Sequence, residues 1–234
     1  MTGEPSTERE RSAERRPVLL EEGDVDAAAG VIARAFRDDA LTKAIIPDTE
    51  RRLAYAEVIG RRYVREALPY GHAFGVRERG ALVGIALWHP PGVEPTSVTA
   101  LLGMLPSLAR MAPTVAGMGP RLAARLLRSP SVPLELGLRR RKAVAEASAG
   151  AAWYLAYLAT DPAAQGRGVG RALLTAMLDR CDAAGQAAWL ETTDPVNPPL
   201  YERFGFATVA RLDGGALLPG FWVMRREPQD PSTR

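Results

Sequence analysis

The feature that most constrains this chain is a glycine-rich turn, Gln165-Gly166-Arg167-Gly168-Val169-Gly170. It is set between an apolar, aromatic run over 153–160 and an amphipathic run over 169–184, and a further apolar run follows at 187–193. In the amphipathic run, Leu174, Met177, Leu178 and Cys181 recur at helical spacing as one apolar stripe, with Arg171, Thr175, Asp179 and Asp182 on the wet side. Strand, turn, helix, strand predicts a crossover connection and hence two parallel strands. The glycine turn then opens the helix at the end of the first strand.

The remaining pattern fills in around this unit. A short strand is predicted at 17–20. Asp24 caps a helix running to about Arg37, with Ala28, Val31, Ile32 and Ala35 at helical spacing. A break at Pro47-Asp48-Thr49 precedes a second helix over 50–67, and strands over 73–79 and 81–88 form a hairpin at Gly80. A short helix over 199–204 and strands at 206–211 and 221–224 close the chain. Residues 96–146 hold long Leu, Met and Ala runs cut by Pro106, Pro113, Pro120, Pro130 and Pro133, which fit three or four inserted helices. The expected class is α/β, with sheet and helices in layers. Its 234 residues suit one domain over 17–227 with the helical insertion at 96–146. Polar residues at 1–16 and 228–234 predict disordered tails.

Composition removes several chemistries. One cysteine, Cys181, forbids an intrachain disulfide and fits a reducing compartment. Two histidines, His72 and His89, lie far apart, so no Cys/His metal cluster is expected and the metal site is read as none. No G-x-S-x-G presents a serine. Carboxylates, tyrosine, arginine and backbone amides remain. Formal net charge is +3, carried by scattered arginine without interleaved aromatics, so no nucleic-acid partner is expected. No signal peptide and no run of bilayer length appears, which predicts a cytoplasmic protein with no membrane partner.

Glycines let several N–H groups point into one concavity, and the helix start adds partial positive charge. That is what a phosphate needs. A Walker loop is absent. A Rossmann loop fails because its third glycine would fall on Arg171 or Leu173. The pattern Q-x-x-G-x-G fits, and a plain tight turn is the bland alternative.

Tyr157 through Leu174, Y-L-A-T-D-P-A-A-Q-G-R-G-V-G-R-A-L-L, resembles the acetyl-CoA-binding segment of the GNAT superfamily of N-acetyltransferases. N-P-P-L-Y-E-R-F-G-F, from Asn197 to Phe206, resembles that superfamily's later helix and strand. With W-L-E-T-T, from Trp189 to Thr193, the block looks most like the puromycin N-acetyltransferase branch. The likeness is strong over 153–206, weaker over 17–92 and loose over the insertion. It implies a mixed, mostly antiparallel central sheet, flanked by helices, in which the parallel strand pair splays apart around acetyl-CoA.

On this sequence the resemblance implies backbone contacts at Leu158, Ala159 and Thr160. It puts the pyrophosphate on Gln165, Gly166, Gly168, Val169 and Gly170, with Arg167 and Arg171 nearby, and it gives Asn197 a contact to the pantetheine arm. Tyr201 matches the tyrosine that gives a proton to the departing thiolate, or else packs in the core beside Leu200 and Phe204. Glu191 lies mid-strand, facing the same way as Trp189 and Thr193. It is the candidate general base, directly or through water, with a purely structural hydrogen-bonding role as the alternative. Cys181 reads as core.

The implied reaction is direct acetyl transfer to a primary amine of a small molecule, antibiotic-like or of secondary metabolism. A protein or peptide acetyltransferase and a non-catalytic CoA-binding module are the alternatives. Asp38 or Asp39 is a candidate partner for the cationic amine, and Trp88 a candidate stacking partner, although both acids suit a solvated loop and Trp88 suits the core. The insertion, with Met104, Met111 and Met118, is either a lid or a homodimer interface, so a monomer and a homodimer both stand. The basic run Arg139, Arg140, Arg141, Lys142 either reaches the 3′-phosphate of CoA or forms a solvated helix face.

Overall fold

A computed structural model of the chain describes residues 15–46, 48–93, 131–213 and 219–230. Seven strands form one sheet in the order β1-β2-β3-β4-β5-β7-β6: β1 (Val18–Leu19), β2 (Ala73–Glu78), β3 (Ala81–His89), β4 (Ala152–Thr160), β5 (Ala187–Thr192), β6 (Ala207–Leu212) and β7 (Phe221–Arg226). Only β4 and β5 run parallel, and every other neighbouring pair is antiparallel. The mixed sheet and its parallel pair are those the sequence predicts.

The described helices are α1 (Val25–Phe36), α2 (Ala40–Ile45), α3 (Thr49–Ala67), α4 (Ser131–Ala147), α5 (Val169–Ala183) and α6 (Pro198–Glu202). The crossover helix α5 covers one face, where Leu173, Leu174, Met177 and Cys181 pack on Trp88, Leu155 and Leu190. On the other face, α1 and α3 cover the β1–β4 half through Val31, Ile32 and Val64. There α4 covers the β5–β7 half through Ala143, Val144 and Ala147. Gly84 on β3 sets the approach of α5: a β-carbon there would stand 2.3 Å from Val169 Cγ1, so only glycine admits the start of the helix at this depth.

Several expectations change. Asp39 ends the first loop by capping α2, its side chain accepting from the Leu41 and Thr42 amides. This helix is absent from the sequence reading. The β2–β3 turn has positive φ at both Arg79 and Gly80, the geometry of a tight two-residue hairpin. Arg15, expected in the disordered tail, pairs with Glu78. Gln229, expected in the C-terminal tail, donates its backbone N–H to Asp182 at 2.8 Å. The basic run at 139–142 belongs to the single helix α4. Residues 94–130, and with them the lid or dimer reading of Met104, Met111 and Met118, lie outside the described residues.

Candidate active site

The parallel strands stay paired from Ala152 and Ala187 to Leu155 and Leu190, then separate; β4 continues on β3 and β5 continues on β7. The register supplies the cause. Leu87 pairs with Tyr157 but the next residue, Trp88, pairs with Leu155, so Ala156 is an extra residue in β4. A bulge of this kind bends a strand and raises its twist. It also resets the alternation. Trp153, Leu155 and Leu158 face α5, whereas Tyr154, Tyr157 and Ala159 face α1, α3 and α4. Two tyrosines three positions apart therefore meet on one side.

A cavity of about 580 Å³ opens on that side where the strands part. Phe36, Tyr55, Tyr63, Tyr154, Tyr157 and Phe221 supply its aromatic lining. Tyr157 is the hub: its ring centre lies 4.8 Å from that of Tyr63 and 5.4 Å from that of Phe36. Tyr154 stacks at 4.2 Å on Trp189, which lies in the core behind it. Burial pushes the Tyr154 and Tyr157 phenols well above their ordinary value, and those of Tyr55 and Tyr63 rise for the same first cause. These rings stay neutral.

Among the described residues, three charged side chains line this cavity: Asp39, Arg140 and Glu191. Arg140 donates Nε to Glu191 Oε1 at 2.8 Å and Nη2 to Oε2 at 2.5 Å. The basic run thus contributes Arg140 to the pocket, while Arg139, Arg141 and Lys142 lie exposed on α4, as the solvated-face reading expects. Burial opposes the Arg140 charge, but the bonds to Glu191 outweigh it and raise its pKa. Asp39 Oδ1 accepts from the Thr193 hydroxyl at 3.4 Å. Tyr201, on α6, lines the same cavity; burial alone pushes its phenol up to about 12. Asn197 precedes α6 but makes no side-chain cap. Its Nδ2 instead donates to Thr192 Oγ1 at 2.8 Å, tying α6 to the end of β5.

A second cavity, about 740 Å³, lies on the glycine turn. The two cavities adjoin, since Leu158 lines the first and Thr160 the second, and Tyr201 and Leu200 divide in the same way. Residues 165–171 line it, Arg167 excepted. Gly166 and Gly168 have φ of 73° and 84°, a left-handed conformation that glycine adopts without strain. The first internal bond of α5 runs from Ala172 N–H to Gly168 C=O, so the preceding amides of the first turn have no helical acceptor. Arg203 and Gln229 also line this cavity; both escaped the sequence reading.

Four expected site residues stand elsewhere. Trp88 is fully buried in the core under α5 and lines neither cavity, because its β3 position faces the helix. Asp38 points outward, bonded to Arg37 at 2.9 Å and Arg52 at 3.0 Å, and the Arg37 bond holds its carboxyl below the usual range. Arg167 turns to Glu78, 3.0 Å away. Ala159 packs against Ile85 and Leu87 in the core opposite α5. Cys181 is fully buried, and burial pushes its thiol up to about 11, as suits a packing residue. Among the described residues no group of three or more His, Cys, Asp or Glu is placed to share a metal ion. No described helix is long and apolar enough to cross a membrane.

Residues 137–208, which carry α4, the splayed pair, the glycine turn and α6, match the Acetyltransferase (GNAT) domain family. An uncharacterized N-acetyltransferase of Schizosaccharomyces pombe is 27% identical over 219 residues, spanning 91% of this chain and 83% of that protein. The GNAT fold also matches solved structures. One is the histone acetyltransferase HPA2 and related acetyltransferase from Corynebacterium glutamicum, with 20% identity, 93% of this chain, 98% of that one and a TM-score of 0.59. Another is the Drosophila melanogaster polyamine N-acetyltransferase, which catalyses formation of N-acetylagmatine, with 18% identity, 90% and 98% coverage and a TM-score of 0.55.

Proposed function

We propose that the protein transfers acetyl from acetyl-CoA to a primary amine of a small molecule by direct attack within a ternary complex. The observation that carries this reading is the gap between β4 and β5 beyond Leu155 and Leu190, lined on its walls by Glu191, Asn197 and Tyr201. The glycine-turn cavity fits the pyrophosphate of CoA: free first-turn amides, two glycines without side chains to block approach, and the cations of Arg171 and Arg203. The adjoining aromatic cavity fits the amine.

In this reading the amine enters as an ammonium and gives its proton to Glu191, where its N–H displaces one Arg140 contact. The nitrogen lone pair forms the C–N bond to the thioester carbonyl carbon, the C–S bond breaks with its electron pair going to sulfur, and the second proton lost by the nitrogen ends on that sulfur, so that CoA leaves as the thiol. Tyr201 donates a hydrogen bond to the departing sulfur. A phenol held near 12 keeps its proton throughout the working pH range, so it stabilises the thiolate as a donor. Glu191 as base, Tyr201 as donor and Asn197 as a pantetheine contact are parts of this proposal, as is an antibiotic-like or secondary-metabolite amine of the kind the puromycin branch acetylates.

The test is thiol release from acetyl-CoA across a panel of amines and short peptides. Release with small amines and not with peptides is expected. In Tyr201→Phe, kcat should fall by about tenfold or more while the KM for acetyl-CoA stays within about twofold. Thiol release that is independent of added amine would end the proposal, as would Tyr201→Phe turnover equal to that of the parent.

A further inference from the structure

The acceptor cavity has a charge count, and it is unusual. Its described lining holds two carboxylates, but both oxygens of Glu191 are taken by Arg140. Asp39 is left as the one carboxylate not matched by a cation within the lining. Its Oδ2 is committed to the amides of Leu41 and Thr42, and its Oδ1 receives only the long Thr193 contact. The lining therefore carries one surplus negative charge. The rest of the described lining is uncharged: Phe36, Tyr63, Tyr154 and Tyr157 with Ile32 and Ile59 make most of it, and Thr42, Thr192, Thr193 and Asn197 are its polar members. A second positive charge on an acceptor would be stripped of water with no carboxylate to meet it. A single ammonium finds Asp39 and the faces of neutral tyrosines, which attract cations through the ring quadrupole.

We infer that Arg140 sets the acceptor's charge: the cavity takes a monocationic amine with an aromatic or apolar body, and Arg140 excludes amines of higher charge by neutralising Glu191. This rests on the cavity being the acceptor site, as proposed above. Arg140 is a specificity-determining residue here and takes no part in bond making.

The experiment measures binding, which does not depend on transfer. Quenching of intrinsic fluorescence or calorimetry reads the affinity for 2-phenylethylamine and for spermidine in four proteins: the parent, Arg140→Lys, Arg140→Gln, and Arg140→Gln combined with Glu191→Gln. The parent and Arg140→Lys should prefer 2-phenylethylamine. Arg140→Gln leaves two surplus negative charges and should shift the ratio toward spermidine by about tenfold or more. The double variant has one surplus charge again and should return toward the parent ratio. A ratio that stays put in Arg140→Gln overturns the inference, and so does a double variant that behaves like the single one, which would mean that Arg140 acts through shape. Thiol release by the parent is recorded alongside. Amine-dependent release with an unmoved ratio sinks only this inference, whereas no release with any amine sinks the proposed activity. If Arg140→Gln fails to fold, Glu191→Gln with Arg140 kept lowers the negative charge of the lining by one and should move the ratio further toward 2-phenylethylamine; a ratio that stays put there overturns the inference.

Discussion

Arg226 and Asp182 form a bidentate ion pair, 2.6 and 2.7 Å, in which both side chains are shut away from solvent, at 0% and 3% exposure. Arg226 Nε also donates to Phe204 C=O at 2.7 Å, just beyond α6, which carries Tyr201. The pair thus joins β7, the end of α5 and the Tyr201 helix. Arg226→Met takes the cation away from a buried carboxylate and should cost about 3–5 kcal/mol. Combining it with Asp182→Asn should recover part of that loss in urea unfolding. Additive losses would show that the two side chains act separately.

Gly84 is a depth stop for α5. In Gly84→Ala the new methyl meets Val169 Cγ1 at the first residue of the helix, and overpacking of this kind costs about 1–3 kcal/mol. The affinity for CoA should fall with it, because the displaced turn carries the amides of the second cavity. Val169→Ala in the same chain makes room and should restore both melting temperature and affinity. Calorimetric titration with CoA checks this.

The capping role of Asp39 and its proposed contact to the amine are separated by one substitution. Asp39→Asn keeps an oxygen for the Leu41 and Thr42 amides, so the stability of α2 should hardly change, but it removes the charge proposed to meet the ammonium. KM for the amine should rise about tenfold with Tm within a degree or so. Asp39→Ala removes both functions and should lower Tm as well, by the equivalent of about 1 kcal/mol.

Five of the six tyrosines are held protonated by their surroundings: Tyr55, Tyr63, Tyr154, Tyr157 and Tyr201. For Tyr201 the folded value is about 12 against an ordinary 10. The stability this provides is full below pH 10 and is lost as pH rises through 12, since the unfolded chain then releases protons that the fold retains. Urea midpoints should hold flat from pH 7 to about pH 9.5 and fall steeply above it. Tyr201→Phe should make that fall shallower, and an unchanged slope would contradict the burial argument.

Local chemistry made much of this legible. The Gln165–Gly170 turn declares itself by glycines at positions that require positive φ. Helical spacing marks Cys181 as core, and alternation puts Glu191 on the face opposite Leu190. What stayed hidden is tertiary. Arg140 reaches Glu191 from 51 positions away, and a run of four basic residues gives no sign of which one turns inward. Trp88 falls on the α5 side of β3, which depends on register rather than on its neighbours. Arg203 and Gln229 join the glycine turn only when β7 brings the C-terminal segment past α5. The helix α2 does carry a sequence signal, an acid ahead of a short apolar run, but Asp38 and Asp39 side by side leave open which of them is the N-cap.

The extra residue at Ala156 has a consequence for how such a protein changes over time. Substitutions at Phe36 or Tyr63 move the aromatic cavity through graded shapes. Loss of one codon at Ala156 is different in kind. It would restore strict alternation along β4 with Tyr154 and Tyr157 still on one face, two positions apart, and would take away the bend where β4 parts from β5, while leaving the glycine turn and its amides as they are. The aromatic cavity can thus change along two mutational routes, side-chain exchange and a single change in length, neither of which touches the glycine turn.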